Sequence, residues 1–108
     1  MVKLVALYRR PSDAAAFDRH YAERHLPLIR RMPGLRRLEA WRITGAPGGE
    51  APYYLLAEMY FDDQDALRAA LRSPEGRAAG EDLQGFAAGG NTEAIAKQPH
   101  CVLLLDEI

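Results

Sequence analysis

The segment HYAERHLPL, residues 20–28, carries the side chain best suited to acid–base chemistry, the imidazole of His25. An imidazole has an ordinary pKa of ~6.5, so it can take up and release a proton near neutral pH. His25 belongs to a stripe whose spacings of 4, 4, 3 and 4 residues are typical of one buried helix face. The stripe consists of Phe17, Tyr21, His25, Leu28 and Met32. We therefore interpret His25 as a candidate general base, with a packing residue of the core as the alternative.

Pro27 follows His25 by two residues and should interrupt the helix. A proline inside a helix removes one amide donor, and its ring clashes with the carbonyl four residues earlier, here that of Glu23. It also disfavours helical geometry at Leu26, the residue before it. We therefore expect the helix to bend here and to open a space between itself and the sheet, beside His25.

Other side chains can assist such a base or form the walls of a pocket. Tyr21 lies one helical turn before His25, and its hydroxyl can donate a hydrogen bond to a substrate oxygen. Core packing is the alternative role for Tyr21. The candidate substrate-binding residues, each of which can equally be plain core, are Phe17, Trp41, Met59, Phe61 and Phe86.

No metal, phosphate or nucleotide motif accompanies these residues. His20 and His25 are five residues apart, about 140° around an α-helix, so we do not expect them to share a metal-binding face. The chain has no His-Glu-x-x-His spacing and no cysteine pair, and no Gly-Lys-Ser/Thr follows the stretch GAPGGE. A dinucleotide fingerprint is also absent from the sequence, which counts against an NAD(P)-dependent reductase. The sequence therefore predicts chemistry without a cofactor, with haem bound through His25 as the alternative.

The composition is that of one ordinary globular domain spanning residues 1–108. A net charge of −1 argues against a nucleic-acid partner and against a polybasic membrane arm. The single cysteine, Cys101, excludes an internal disulfide and fits a reducing cytosol. The strongest uninterrupted apolar run, CVLLL, is far shorter than the ~20 residues of a membrane helix. We therefore predict a cytoplasmic protein with no membrane or nucleic-acid partner.

Apolar periodicity predicts the elements that must position His25. The expected strands cover residues 2–8, 35–43, 53–61 and 100–108, and the first helix runs from about residue 13 to residue 31. Ser12 or Asp13 can cap the first helix. A second helical segment, capped by Asp62 or Asp63, follows the third strand; it restarts at Ser73–Pro74, with Ser73 as its cap, and is diluted by glycines. The resulting β-α-β-β-α-β order predicts a ferredoxin-like α+β fold, with a four-stranded antiparallel sheet and the helices on one face.

The face of the sheet away from the helices must also be covered, because in each strand apolar side chains point to both faces. The residues concerned include Val2, Leu4, Tyr54 and Leu56. An uncovered apolar sheet of this size exceeds the patch that is usual on a monomer. We therefore predict a homodimer that packs sheet against sheet as a barrel. Glu58, inside the third strand, should pair across this interface with a cation such as Arg42 or Arg9.

Two segments of the chain resemble the EthD family. They are KLVALYRRPSDAAAFDRHYAERHLPLIRRMPGL and AEMYFDDQDALRAALRSPEGRAAGEDLQGFAAGG, of which the His-x-Pro-Leu and Ala-Glu-x-Tyr-Phe-Asp pieces are the most specific. The resemblance implies a dimeric α+β barrel with a pocket between helices and sheet in each subunit, lined by His25. It also implies small-molecule chemistry, since related barrels include isomerases, cofactor-free monooxygenases, polyketide cyclases and haem-degrading enzymes.

Together the residues and the resemblance predict a small dimeric, cofactor-independent enzyme of the EthD type, whose chemistry is that of an isomerase, a cyclase or a monooxygenase. The resemblance also implies the label oxidoreductase, which members of the family often carry. Its substrate would be an apolar, oxygenated small molecule, as in the catabolism of organic compounds. His25 would shuttle a proton next to a carbonyl or phenol, while Tyr21 steadies the oxygen. The alternatives are a haem-binding barrel and a non-catalytic barrel that only binds a small molecule.

Overall fold

The computed structural model describes residues 1–83 and 100–107, in which four strands form an antiparallel sheet of order β2-β3-β1-β4. The strands are β1 (Val2–Arg9), β2 (Arg37–Arg42), β3 (Tyr53–Phe61) and β4 (His100–Asp106). The helices are α1 (Ala14–His20), a π-helical turn (Tyr21–His25), α2 (Leu26–Arg30), α3 (Gln64–Arg72) and α4 (Pro74–Leu83). The predicted ferredoxin-like α+β fold is confirmed. None of the helices described is long and apolar enough to cross a bilayer.

The alternation of β1 separates the two faces of the sheet. On the helix side its buried residues are Val2, Leu4, Ala6 and Tyr8. Each stands opposite a buried residue of β3, namely Phe61, Met59, Ala57 and Leu55. The prediction that a second subunit covers Val2, Leu4 and Tyr54 is therefore wrong, because these residues belong to the chain's own core. Of the four residues named for that cover, only Leu56 lies on the other face.

Side-chain caps begin the helices where the sequence predicts them. The side-chain oxygens of Asp13, Asp63 and Ser73 accept from the amide three residues later, at 3.1, 2.8 and 3.0 Å. Each cap satisfies an amide that has no partner inside the first turn of its helix. These three caps fix where α1, α3 and α4 begin, and so where the side chains of those helices fall around their axes.

The π-helical turn replaces the bend expected at Pro27. At its end the amide of Leu26 donates to the carbonyl of Tyr21, five residues earlier. Proline cannot donate and clashes in a regular helix interior, so a widened turn followed by a new first turn accommodates it. Pro27 accordingly lies in the first turn of α2. The helix predicted over residues 13–31 is therefore interrupted near Pro27, as expected. The interruption is a π-helical turn rather than the predicted bend.

The widened turn also changes which residues are buried. Beyond His25 the buried residue is Ile29, whereas the predicted Leu28 is only half-buried. The stripe assumed regular α-helical spacing, and the extra residue in the turn moves the buried position on by one. Phe17, Tyr21 and Met32 are buried as predicted.

The face of the sheet away from the helices, called the open face below, carries apolar side chains that a single chain leaves exposed. Its apolar side chains include the half-buried Leu7 and Leu56 and the exposed Trp41, Leu103 and Leu105. Leu7, Leu56 and Trp41 are neighbours across three strands, and Trp41 is 59% exposed. On β4, Leu103 and Leu105 are 43% and 41% exposed.

Glu58 finds its partner within the chain. The Nζ of Lys3 donates to the Glu58 carboxylate at 2.5 Å, between neighbouring strands of the open face. Arg42 points to the helix side, where it pairs with Asp18 at 3.0 Å, and Arg9 lies over the ring of Tyr53. The predicted pairing of Glu58 with Arg42 or Arg9 is therefore wrong, because neither arginine is the cation next to it.

Candidate functional site

A cavity of ≈190 Å³ lies between the sheet and the helices. Leu4, Ala6, Tyr8 and Met59 form its floor on β1 and β3. Ile29, Leu71, Ala79 and Leu83 contribute helical walls. Tyr8 and His25 are the two described lining residues whose side chains carry polar atoms. The arrangement suits an apolar guest with few polar groups.

Asp82, on α4, holds His25 in a defined orientation. The His25 side chain is only 5% exposed, and its Nδ1 lies 2.9 Å from Oδ2 of Asp82. A carboxylate can only accept, so the imidazole donates from Nδ1. In the neutral ring the lone pair then sits on Nε2, which makes Nε2 the basic atom of His25.

His20 contacts the same carboxylate from the surface side. Its Nε2 lies 3.0 and 3.1 Å from the two oxygens of Asp82. The expectation that His20 and His25 face different directions is wrong, because the intervening turn is π-helical and brings residues five apart together. Side-chain exposure decreases from 29% at His20 through 19% at Asp82 to 5% at His25. The three groups therefore connect the surface to the cavity.

Sequence reasoning missed Asp82. The residue is 57 positions from His25 and lies on a glycine-diluted helix with a weak apolar pattern. The fold itself contained the signal: in a β-α-β-β-α-β arrangement both helices cover the same face of the sheet, so they pack side by side. An acidic residue on the inner side of α4 can therefore meet the histidines of the first helical segment.

Two buried tyrosines stand next to His25. The ring of Tyr21 lies 5.5 Å from that of His25, and Tyr8 packs edge-to-face on Tyr21 at 5.6 Å. Burial raises the pKa of Tyr8 and of Tyr21 far above the ordinary value, so both phenols keep their protons. Tyr8 lines the cavity, whereas Tyr21 packs behind His25. Tyr8 was missed because its position in β1 indicated only a core residue.

The residues predicted to form the walls of the pocket lie in different parts of the structure. Met59 lines the cavity, while Phe17 and Phe61 are fully buried in the core beside it. Trp41 does not line the cavity, because it shares its strand parity with Arg37 and Glu39 and so lies on the open face. Phe86 lies outside the described residues. Within residues 1–83 and 100–107, no three His, Cys, Asp or Glu side chains are arranged to hold a metal ion.

Burial sets the charge state of His25. Desolvation lowers the pKa of His25 below its ordinary value, the Asp82 hydrogen bond and charge oppose this, and the charge of His20 lowers the pKa further. The folded imidazole is therefore neutral near pH 7. In the unfolded chain it gains a proton at about pH 6.5, so below that pH the unfolded state binds more protons.

We accordingly expect the free energy of unfolding to fall as the pH drops from 7 to 5. The slope attributable to His25 is at most ~1.4 kcal/mol per pH unit, the value for one proton. Urea titrations at a fixed protein concentration measure it, with His25→Gln as the comparison. The variant should lose less stability on acidification than the wild type; equal losses would contradict the assignment.

Comparison with known proteins agrees with this fold. The EthD domain model matches residues 9–90. An uncharacterized 11.0 kDa protein from the thcB–thcC intergenic region of Rhodococcus erythropolis is 37% identical over 92 residues, which are 85% of this chain and 89% of that protein. The solved structure of an EthD family protein from Bacillus halodurans is 42% identical. The match covers 100% of this chain and 99% of that one, with a TM-score of 0.87.

More distant solved structures share the fold. The cofactor-independent oxygenase SnoaB from Streptomyces nogalater is 22% identical over 94% of this chain and 89% of its own, with a TM-score of 0.60. A dimeric ferredoxin-like protein from Thermobifida fusca is 19% identical, with 96% and 90% of the two chains covered and a TM-score of 0.62. The family model and the Rhodococcus and Bacillus relatives agree: this chain belongs to the EthD family.

Proposed function

We propose that this EthD protein is a small cofactor-independent enzyme that uses His25 as a general base. Its substrate is an apolar, oxygenated small molecule held in the cavity. The observation that carries the proposal is a buried imidazole that lines an apolar cavity while its Nδ1 is held by a carboxylate. The likeness to the oxygenase SnoaB supports the class of chemistry only at the level of a shared fold.

The proposed first step is a proton transfer from the substrate. Nε2 of neutral His25 takes a proton from a C–H next to a carbonyl, or from a phenol, and the ring becomes an imidazolium. The charge of Asp82, 2.9 Å from Nδ1, stabilises that cation. Isomerisation, cyclisation and cofactor-free oxygenation can all start from the resulting anion; in oxygenation the anion itself supplies the electrons to O₂.

The substrate oxygen gains negative charge in this step and needs a donor. The sequence predicts Tyr21 for this role, which remains a proposal. Tyr8 is the second candidate, because it lines the same cavity and burial keeps its phenol protonated. In that arrangement Tyr21 contributes mainly by packing against both rings.

Hydrogen–deuterium exchange tests the proposed base even while the natural product is unidentified. A panel of apolar 1,3-diketones and hydroxylated aromatics is incubated with the protein in D₂O, and exchange at carbon is followed by NMR. The wild type should accelerate exchange for at least one compound, and His25→Gln should lower that acceleration by about 100-fold or more. Arg24→Gln, which removes an exposed charge from the adjacent position, serves as the matched control and should retain exchange.

Each outcome of this experiment bears on the proposal. Full acceleration in His25→Gln would contradict the role of His25. Binding of the panel without exchange or product by mass spectrometry would favour the non-catalytic barrel. A Soret shift on titration with haemin, lost in His25→Gln, would favour the haem-binding alternative.

We also propose that the working form is a homodimer in which the open faces of two copies pack together. The open face leaves Trp41, Leu103 and Leu105 exposed in one chain, which is an unusual concentration of large apolar groups on a sheet. The Thermobifida protein of the same fold is described as dimeric, which supports this arrangement by likeness of fold.

A further inference from the structure

Two imidazoles share one carboxylate at the site. Oδ2 of Asp82 lies 2.9 Å from Nδ1 of His25 and 3.1 Å from Nε2 of His20. We propose that His20 and His25 compete for the negative charge of Asp82, so that His20 takes up the imidazolium charge and keeps His25 a neutral base. This inference rests on the proposed use of His25 as a base, and it makes His20 and Asp82 positioning residues.

The geometry favours charge on His20. One carboxylate can balance one imidazolium, and a second imidazolium beside it would leave a net positive charge in a buried place. A charged ring costs less where water reaches it, and the His20 side chain is 29% exposed against 5% for His25. The proton that the cluster holds should therefore reside on His20.

The groups around the cluster support this distribution. Among the described residues, the titratable groups that face His25 are Asp82 on α4, His20 and Tyr21 on the first helical segment, and Tyr8 on β1. Burial keeps both phenols neutral, so within residues 1–83 and 100–107 the charges acting on His25 are those of Asp82 and His20. Among the causes acting on the pKa of His25, the charge of His20 lowers it and that of Asp82 raises it.

Competition of this kind allows catalysis without a change of charge inside the protein. When Nε2 of His25 accepts a proton from the substrate, the new imidazolium becomes the better partner for Asp82. His20 can then release its proton to water, because it is the most exposed member of the cluster. One proton enters at the cavity and one leaves at the surface, while Asp82 stays ionised throughout.

Nitrogen-15 NMR of histidine-labelled protein tests the competition directly. Two-bond ¹H–¹⁵N correlations report the tautomer and the pKa of each imidazole, and no substrate is needed. In the wild type, neutral His25 should be the Nδ1–H tautomer. His20→Gln should raise the pKa of His25 by roughly one unit, and Asp82→Asn should lower it by a similar amount and mix the tautomers.

Two further variants separate charge competition from mere packing. His20→Lys places a permanent cation near Asp82 and should return the pKa of His25 to its wild-type value or below. Arg24→Gln removes an exposed charge that makes no contact with Asp82 among the described hydrogen bonds, and should move the pKa of His25 far less than His20→Gln does.

Opposite shifts in His20→Gln and Asp82→Asn, with rescue by His20→Lys, would support the inference. A pKa of His25 that is unchanged or lowered in His20→Gln would overturn it, as would the Nε2–H tautomer in the wild type. If the shifts occur but His25→Gln keeps its exchange activity, the charge competition stands and the proposed function alone fails.

Discussion

Gly76→Ala should destabilise the protein by about 3 kcal/mol, because overpacking at a position that cannot relax is at the upper end of its usual cost. A Cβ at this position would lie 2.0 Å from the carbonyl oxygen of Ala70 and 2.9 Å from that of Leu71. Both oxygens are backbone atoms at the end of α3, so no side-chain rotation can make room. Relief requires α4 to move away from α3, and α4 carries Asp82.

Gly80→Ala provides the matched control on the same helix. A Cβ at Gly80 meets no atom of the described residues within 4 Å, and alanine is favoured over glycine in a helix interior by ~1 kcal/mol. Gly80→Ala should therefore be neutral or slightly stabilising. Urea unfolding at one protein concentration measures both variants. Equal effects of the two substitutions would contradict the close α3–α4 contact.

Leu56→Arg should convert the proposed homodimer into a monomer. Leu56 lies between Leu7 and Trp41 on the open face, so in a dimer packed through this face an arginine would bury an unpaired charge. In a single chain the position is only half-buried, and a long arginine side chain can reach water from it. The fold should therefore survive while the association is lost.

Sedimentation equilibrium at low micromolar concentration measures this effect. The wild type should sediment at twice the chain mass of 12.0 kDa, and Leu56→Arg at the mass of one chain. Ala69→Arg adds the same charge at an exposed position of α3 and should leave the dimer intact. A monomeric wild type, or a Leu56→Arg protein that stays dimeric, would show that the open face is not the interface.

Local chemistry made the fold predictable. Aspartate and serine before apolar periodic segments indicated the caps, and Asp13, Asp63 and Ser73 all serve as caps in the structure. The four strands were predicted because their apolar runs are short and bounded by turn residues. The β-α-β-β-α-β order then left few possible topologies, since such an order strongly favours one arrangement of the sheet.

The orientation of individual side chains was harder to predict. The face on which Trp41 lies could have been predicted, because the charged Arg37 and Glu39 point to the same side of β2, but in the other strands the side chains of both faces are apolar. The π-helical turn could not be predicted from the sequence, because the apolar spacing was compared only with an α-helix of 3.6 residues per turn. That assumption gave Leu28 in place of Ile29 and placed His20 and His25 on different faces.

The candidate site was only half predictable, for a related reason. His25 could be identified because a polar residue interrupts a local apolar pattern. Asp82 and Tyr8 come to it through packing between elements that are distant in sequence, and no local pattern specifies such a meeting. The position of the histidine at the cavity was therefore predictable, whereas the group that orients it was not.

The π-helical turn ties the histidine pair to the form of the helix. In a regular α-helix the same five-residue spacing would place the two imidazoles about 140° apart, and one carboxylate could no longer receive both. Deleting one residue between them would permit a regular helix and leave them four residues apart, on one face of it. A substitution that straightens this segment without shortening it should therefore separate the imidazoles, whereas a one-residue deletion can keep them together.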